Sequence, residues 1–446
     1  MIKEWFTDGA FHSILKNAFV LFSSNVGSAL IGLLSLALAS RTLGPDLFGI
    51  LIIIQTYTRT ISALVQFQSW QVVVRFGAPA LVQGELPIFK QVINFSFALD
   101  IASSVVAFSA AVMVLPWVSH KIGISGEDFW LAMGFCTLIP LLASATPTGI
   151  LRSLDRFDLL AVQEIISPVI RVIGCIISYY DQLGFCGFIL SWYLGSFIGG
   201  LTCWVFAAME LGRRNIRGAL KPSLIKPARQ IKGVWNFVWV THLTYTLSSI
   251  KNSGSNFMVG ILLGADAAGL FKIALTFYDA AGTPGQIMEK SFYPEIMRLN
   301  PREKHPWLLG IRTAFTAVGF GVCVAIIGIL VGSSLIDLVF GEQYSTAFTL
   351  LEIMLGAIVL SMAAVPLESL LFMASRQRQS LCAQSLATLI YAVLLIALSL
   401  WLGTVGAALA YIGSELLIIV FSLPPTLNAY RNRHKLPFVL PEETRQ

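Results

Sequence analysis

Ten ionisable side chains stand inside long apolar runs of this 446-residue chain: Arg59, Arg171, Lys251, Lys272, Asp100, Glu164, Asp279, Glu352, Glu368 and Glu415. In hydrocarbon each would cost about 2.5–3.5 kcal/mol, so most must face water or one another. Arg59, Lys251 and Lys272 recur among polar neighbours at helical spacing. One stripe reads Gln55, Arg59, Ser62, Gln66; a second Thr241, Thr244, Ser248, Lys251, Asn252, Ser255; a third Lys272, Thr276, Asp279, Thr283, Gln286. A weaker one holds Ser23, Ser24, Asn25 and Ser28. A cavity so lined suits an anion: arginine offers a planar fork matched to phosphate, and lysine a point charge. Arg59, Lys251, Lys272, Asn252 and Asn25 are therefore the candidate substrate-binding residues.

The carboxylates suggest a second kind of chemistry. Asp100, Asp279 and Glu415 lie deep in apolar runs and are candidates for coupling to H+ or Na+. For Asp100, pairing with another helix is an equal reading. Glu164 and Arg171, seven apart on one helical face around Pro168, are expected to share a structural network. His242 is expected to be packed or pore-lining. Nothing marks a catalytic or metal centre. The six cysteines are scattered singly, without C-x-x-C or His/Cys spacing. We expect no cofactor and no enzymatic activity.

The elements that position these groups follow from composition. Hydrophobic residues make up 56% of the chain and charged residues 12%, about half the charge a soluble domain carries. A soluble enzyme, a disordered chain and a nucleic-acid binder are excluded. A bilayer core asks for about 20 apolar residues per helix. Twelve such stretches occur, near 17–40, 48–69, 91–116, 129–150, 159–180, 184–208, 235–262, 269–287, 307–332, 347–373, 380–401 and 405–427. The fold class is thus all-α, a polytopic membrane protein of twelve transmembrane helices. Thr283-Pro284, flanked by Gly282 and Gly285, predicts a kink or helix end in the eighth stretch.

With the N-terminus inside, 24 of the 30 Lys and Arg residues fall on inner loops, tails or helix ends. Seven are in one loop: Arg213, Arg214, Arg217, Lys221, Lys226, Arg229 and Lys232. The positive-inside rule therefore places both termini in the cytoplasm of a cell-membrane protein.

The chain also repeats. Leu43-Gly44-Pro45-Asp46-Leu47-Phe48-Gly49 recurs as Leu263-Gly264-Ala265-Asp266-Ala267-Ala268-Gly269, offset by 220 residues, and Pro147 is echoed by Pro366. The motif reads as a tight outer turn. Two similar six-helix bundles follow: residues 1–208, a basic cytoplasmic linker 209–234, and 235–446 with a short cytoplasmic tail. At the repeat offset Asp279 maps onto Arg59. This pair is a candidate gate, closed in one state and open in the other.

The charged start, the Asn-bearing first helix, Arg41 through Gly49, the Gly149-Ile150-Leu151-Arg152 turn and the Leu262-Leu263-Gly264 turn together resemble the polysaccharide-biosynthesis membrane proteins. These are the Wzx-type flippases of the multidrug/oligosaccharidyl-lipid/polysaccharide (MOP) exporter superfamily. The resemblance covers all twelve stretches. It implies a V-shaped pair of bundles moving a polyprenyl-diphosphate-linked oligosaccharide, such as an O-antigen unit, to the periplasmic leaflet by alternating access. It further implies transient association with a polysaccharide polymerase or glycosyltransferases. The alternative is a cation-coupled multidrug exporter of the same superfamily, whose pocket should be richer in aromatics and poorer in cations.

Overall fold

The computed structural model describes residues 9–122, 124, 126–141, 143–216, 218–223, 233–297 and 299–436. Arg217, Lys226, Arg229 and Lys232 of the basic loop, and the Asn252 side chain, lie outside the described residues. All regular structure among the described residues is helical. Among the described residues, eight helices are long and apolar enough to cross a membrane. Two of them bend through a glycine, and described helices fall on every one of the twelve expected stretches.

Packing divides the chain into two units, Met1–Ser249 and Ile250–Gln446. The division falls inside the seventh expected stretch, not in the basic loop at 209–234. The reason is local. Helix α10 (Val234–Ser249) lays Val234 and Val238 against Val72, Val92, Phe95 and Leu99 of the first unit. Trp235 meets Phe95, Phe237 meets Phe76, and Trp239 and His242 both meet Phe67. His242 is thus a buried, aromatic-packed side chain.

In the first unit, α1 (Gly9–Val65) turns at Gly44, where φ is 75° and ψ 175°. Only glycine adopts that backbone readily. After a break at Gln66–Gln68 come α2 (Ser69–Val72), a π-helical turn (Val73–Gly77) and α3 (Ala78–Val82). Helix α4 (Leu86–Ile122) follows, then α5 (Glu127–Cys136), α6 (Leu138–Leu141) and α7 (Ala145–Ser153). The unit continues with α8 (Phe157–Tyr180) and α9 (Gly184–Arg213). Val73, Phe89, Ile93, Ile150, Leu151 and Leu211 pack into one buried core.

The second unit opens with a π-helical turn (Ile250–Gly254) and α11 (Ser255–Leu263). It turns at Gly264 with φ 95° and ψ 179°, nearly the geometry of Gly44. The repeated motif therefore encodes the same backbone twice. Helix α12 (Ala265–Met297) runs through Pro284 without ending, because neighbouring α14 (Thr346–Met373) packs along it and Gly285 lies against Met362. Helices α13 (His305–Phe340) and α15 (Gln377–Arg431), the latter turning at Gly403, complete the unit.

Candidate functional site: polar groups among the apolar helices

The first unit contains two helix interruptions that lie beside each other and beside α4, with the Ser69 and Thr146 hydroxyls 3.5 Å apart. One is Gln66–Gln68. The other is Ala143–Ser144, just before α7. Buried Asp100 of α4 joins them: its Oδ2 accepts the Thr146 backbone N–H at 2.8 Å, and its Oδ1 accepts the Ser69 hydroxyl. Helix N-termini carry unpaired N–H groups and partial positive charge. The N-cap residue of α7, Ser144, makes no side-chain cap. A carboxylate from a neighbouring helix supplies that cap instead.

Between the interruptions lies a pocket of about 240 Å³, lined among others by Gln66, Gln68, Trp70, Asp100, Ser103 and Ser104. Trp70 is fixed on several sides. Its indole N–H donates to Gln68 Oε1 at 3.0 Å, and the Arg152 guanidinium lies 4.2 Å from its ring centroid. Gly149 permits the approach of α7, since a Cβ there would come 2.9 Å from Trp70 Cα. Gln66 Nε2 donates to Ser104 Oγ at 3.2 Å and to the Ile139 carbonyl at 3.1 Å.

Arg59 is exposed, and Arg171 lies 5.0 Å from the Trp192 ring centroid. The two guanidiniums act on each other by charge repulsion. Neither has an ion-pair partner among the described residues. Glu164, expected to share a network with Arg171, takes other partners. It accepts the Ser24 hydroxyl at 3.0 Å and feels the charge of Arg152. The serines of the first stretch thus turn toward α8, with Ser28 donating to the Glu164 carbonyl at 3.0 Å, while Asn25 is exposed.

In the second unit Lys251 and Glu415 meet, a pairing that sequence reasoning did not make. Lys251 Nζ stands 2.5 Å from Glu415 Oε1, with side chains 22% and 6% exposed. The Tyr278 hydroxyl donates to the same oxygen at 3.0 Å. Tyr411 donates its hydroxyl to the Lys251 carbonyl at 2.7 Å and packs against Phe271, Tyr278 and Tyr391. Exposed Asp279 feels the charges of Lys272 and Lys251. These groups sit on three elements but form one local cluster of compensated charge.

A family model described as polysaccharide biosynthesis protein matches residues 14–297. The chain belongs to this family. Inner membrane protein YghQ of Escherichia coli strain K12 is 50% identical over 350 residues, which is 78% of this chain and 99% of that protein. Among solved structures, an inward-facing multidrug resistance MATE family transporter of the MOP superfamily superposes with a TM-score of 0.72 at 14% identity, over 91% of this chain and 96% of the other. Lipid II flippase MurJ in an inward closed conformation gives 0.67 at 13% identity, over 93% and 90%. This polysaccharide biosynthesis protein is therefore a multi-pass membrane protein with the fold of MOP-superfamily transporters.

In this family member the turn between α7 and α8 is tied down by charge. Buried Glu210 of α9 accepts from Arg156 and from Arg214, the latter at 3.2 Å, and Arg214 also donates to the Leu154 carbonyl at 2.9 Å. The hydrogen bond from Arg156 to Asp158 raises the pKa of its guanidinium further.

Proposed function

We propose that the protein is a flippase that carries a polyprenyl-diphosphate-linked oligosaccharide between the leaflets of the inner membrane by alternating access, with both termini in the cytoplasm. The observation that carries this reading is the uncompensated pair Arg59 and Arg171. Two guanidiniums that repel each other, Arg171 among apolar helices, have no carboxylate partner among the described residues and so favour an anion. A diphosphate supplies about two negative charges and accepts bidentate bonds from arginine. The inner-membrane relative and the match to a polysaccharide biosynthesis family support the same assignment. Lys251 and Lys272 contribute to the field, although Glu415 balances Lys251 directly. Arg59 and Asp279 gate the empty carrier, and the cargo diphosphate competes with Asp279 for Arg59. Asp100, Asp279 and Glu415 remain our candidates for H+ or Na+ coupling.

The test is reconstitution into proteoliposomes with a fluorescent polyprenyl-diphosphate saccharide whose exposure is read by an impermeant quencher. Arg59→Gln and Arg171→Gln should each slow translocation at least tenfold, and exchanging Arg59 with Asp279 should restore what either single exchange removes. Unchanged translocation in both Gln variants refutes the assignment. Uptake of lipophilic cations in place of the saccharide lipid would favour the multidrug exporter.

A further inference from the structure

The pocket between the two helix interruptions of the first unit has no part in holding a diphosphate. We propose that it is a subsite for one neutral sugar residue of the cargo, an inference that rests on the flippase reading above. The class of ligand follows from the lining. Small-molecule pockets are predominantly apolar, whereas this one presents two carboxamides, two buried serine hydroxyls and a carboxylate beside the rings of Phe67 and Trp70. An apolar drug would leave the Ser104 hydroxyl proton and the Gln68 amide NH2 without partners.

Charge narrows the class further. Asp100 is the one ionisable residue among the described lining residues, and both of its oxygens already accept hydrogen bonds. A phosphate would meet that carboxylate as a like charge. A bare metal ion would leave most of the 240 Å³ empty. That volume equals about eight waters at about 30 Å³ each, the scale of a single pyranose ring and not of a chain.

The donors and acceptors suit a hydroxyl-rich ring. Ser104 accepts from Gln66, which leaves its own proton free to donate. The Gln68 carboxamide is oriented by the Trp70 indole through its oxygen, so its NH2 can be offered elsewhere. Trp70 in turn is clamped by Arg152 and by the close passage of Gly149. Groups held this firmly before binding lose little entropy when a ligand arrives. Asp100 is a positioning residue here: by capping α7 and bonding Ser69 it holds both interruptions open.

The full-length protein in detergent is examined by saturation-transfer NMR with methyl glycosides of glucose, galactose, N-acetylglucosamine and rhamnose, and separately with geranyl diphosphate. At least one glycoside should give a saturable signal that falls fivefold or more in Gln68→Ala and in Ser103→Leu, which fills the pocket. Should either variant lose monodispersity, Gln68→Asn shortens the amide by one methylene and must show the same loss. A wild-type protein that binds geranyl diphosphate but shows no glycoside signal, or one indifferent to these substitutions, overturns the subsite while the flippase reading stands. Glycoside binding that depends on the pocket without geranyl diphosphate binding would instead overturn the flippase reading. A sodium signal lost with the same substitutions and no glycoside signal would make this a cation pocket and refute the proposal.

Discussion

Replacing Glu415 by Gln should destabilise the second unit sharply, because it strands Lys251. The pair is 2.5 Å apart, and only Lys251 retains appreciable exposure, at 22%. Removing one member of a buried ion pair costs about 3–5 kcal/mol, and the partly open ammonium argues for the lower end, about 3 kcal/mol. The Tyr411 ring, 5.8 Å from Nζ, remains as a cation–π partner but returns only about 0.5–1 kcal/mol. For a unit of this size each kcal/mol shifts the melting temperature by about 2–4 °C, so thermal unfolding in detergent should fall by about 6–12 °C.

Lys251→Met combined with Glu415→Leu should recover most of that loss, since apolar replacement of a whole buried pair is often neutral. It should stay about 1 kcal/mol short, because the Tyr278 hydroxyl loses its acceptor. Adding Tyr278→Phe should close the gap. The reasoning is refuted if Glu415→Gln melts with the wild type, or if the double substitution melts below Glu415→Gln. The stable double variant then reports on function: loss of translocation without loss of fold would assign Lys251 and Glu415 to cargo or ion handling.

Gly149→Ala would bring a Cβ within 2.7 Å of Val73 Cβ and 2.9 Å of Trp70 Cα, so it should cost about 1–3 kcal/mol and displace Trp70, read as a changed tryptophan emission spectrum. Gly44→Ala and Gly264→Ala meet no atoms within 4 Å; their cost is backbone strain alone, about 1–3 kcal/mol, and equal melting shifts are expected because the two turns share one geometry. Glu210→Gln should remove the charge that Arg156 and Arg214 share, leaving them only Asp158 and the Leu154 carbonyl, and weaken the turn by about 1.5–3 kcal/mol. Faster hydrogen exchange at the amides of Leu154 and Arg156 would show it.

The long apolar runs made the helices legible, and the repeated Leu-Gly-x-Asp motif made two turns legible before any coordinates. Both features are local, written in consecutive residues. The interruption at Gln66–Gln68 was not legible, because the residues around it continue a helical polar stripe and include neither Gly nor Pro. The second interruption did leave a trace: Pro140 and Pro147 bracket it, and proline depletes helical hydrogen bonds on its N-terminal side. The meeting of Lys251 with Glu415, 164 residues apart, has no local signature. Helical periodicity gives the face a charge occupies but not which helix that face meets. For the same reason the serines at 24 and 28 looked like a cavity lining and proved to be ligands of Glu164.

These pairings change how the charge inside the apolar helices should be counted. Read singly, Arg59, Lys251 and Lys272 are three equivalent cations. In the structure Lys251 is balanced by Glu415, and Lys272 acts on Asp279, so those groups of the second unit are close to neutral. In the first unit Glu164 offsets Arg152, and the α7 N-terminus and the Ser69 hydroxyl bond Asp100, while Arg59 and Arg171 have no carboxylate partner among the described residues. With Glu352 and Glu368 counted, these groups of the second unit are net negative, whereas Arg59, Arg152 and Arg171 outnumber Asp100 and Glu164 in the first. On the flippase reading, an anionic head group should engage that unit first. On the same reading, substitutions at Arg59 should weaken cargo binding, while substitutions at Asp279, which remove the competitor proposed for Arg59, should leave binding intact or tighten it.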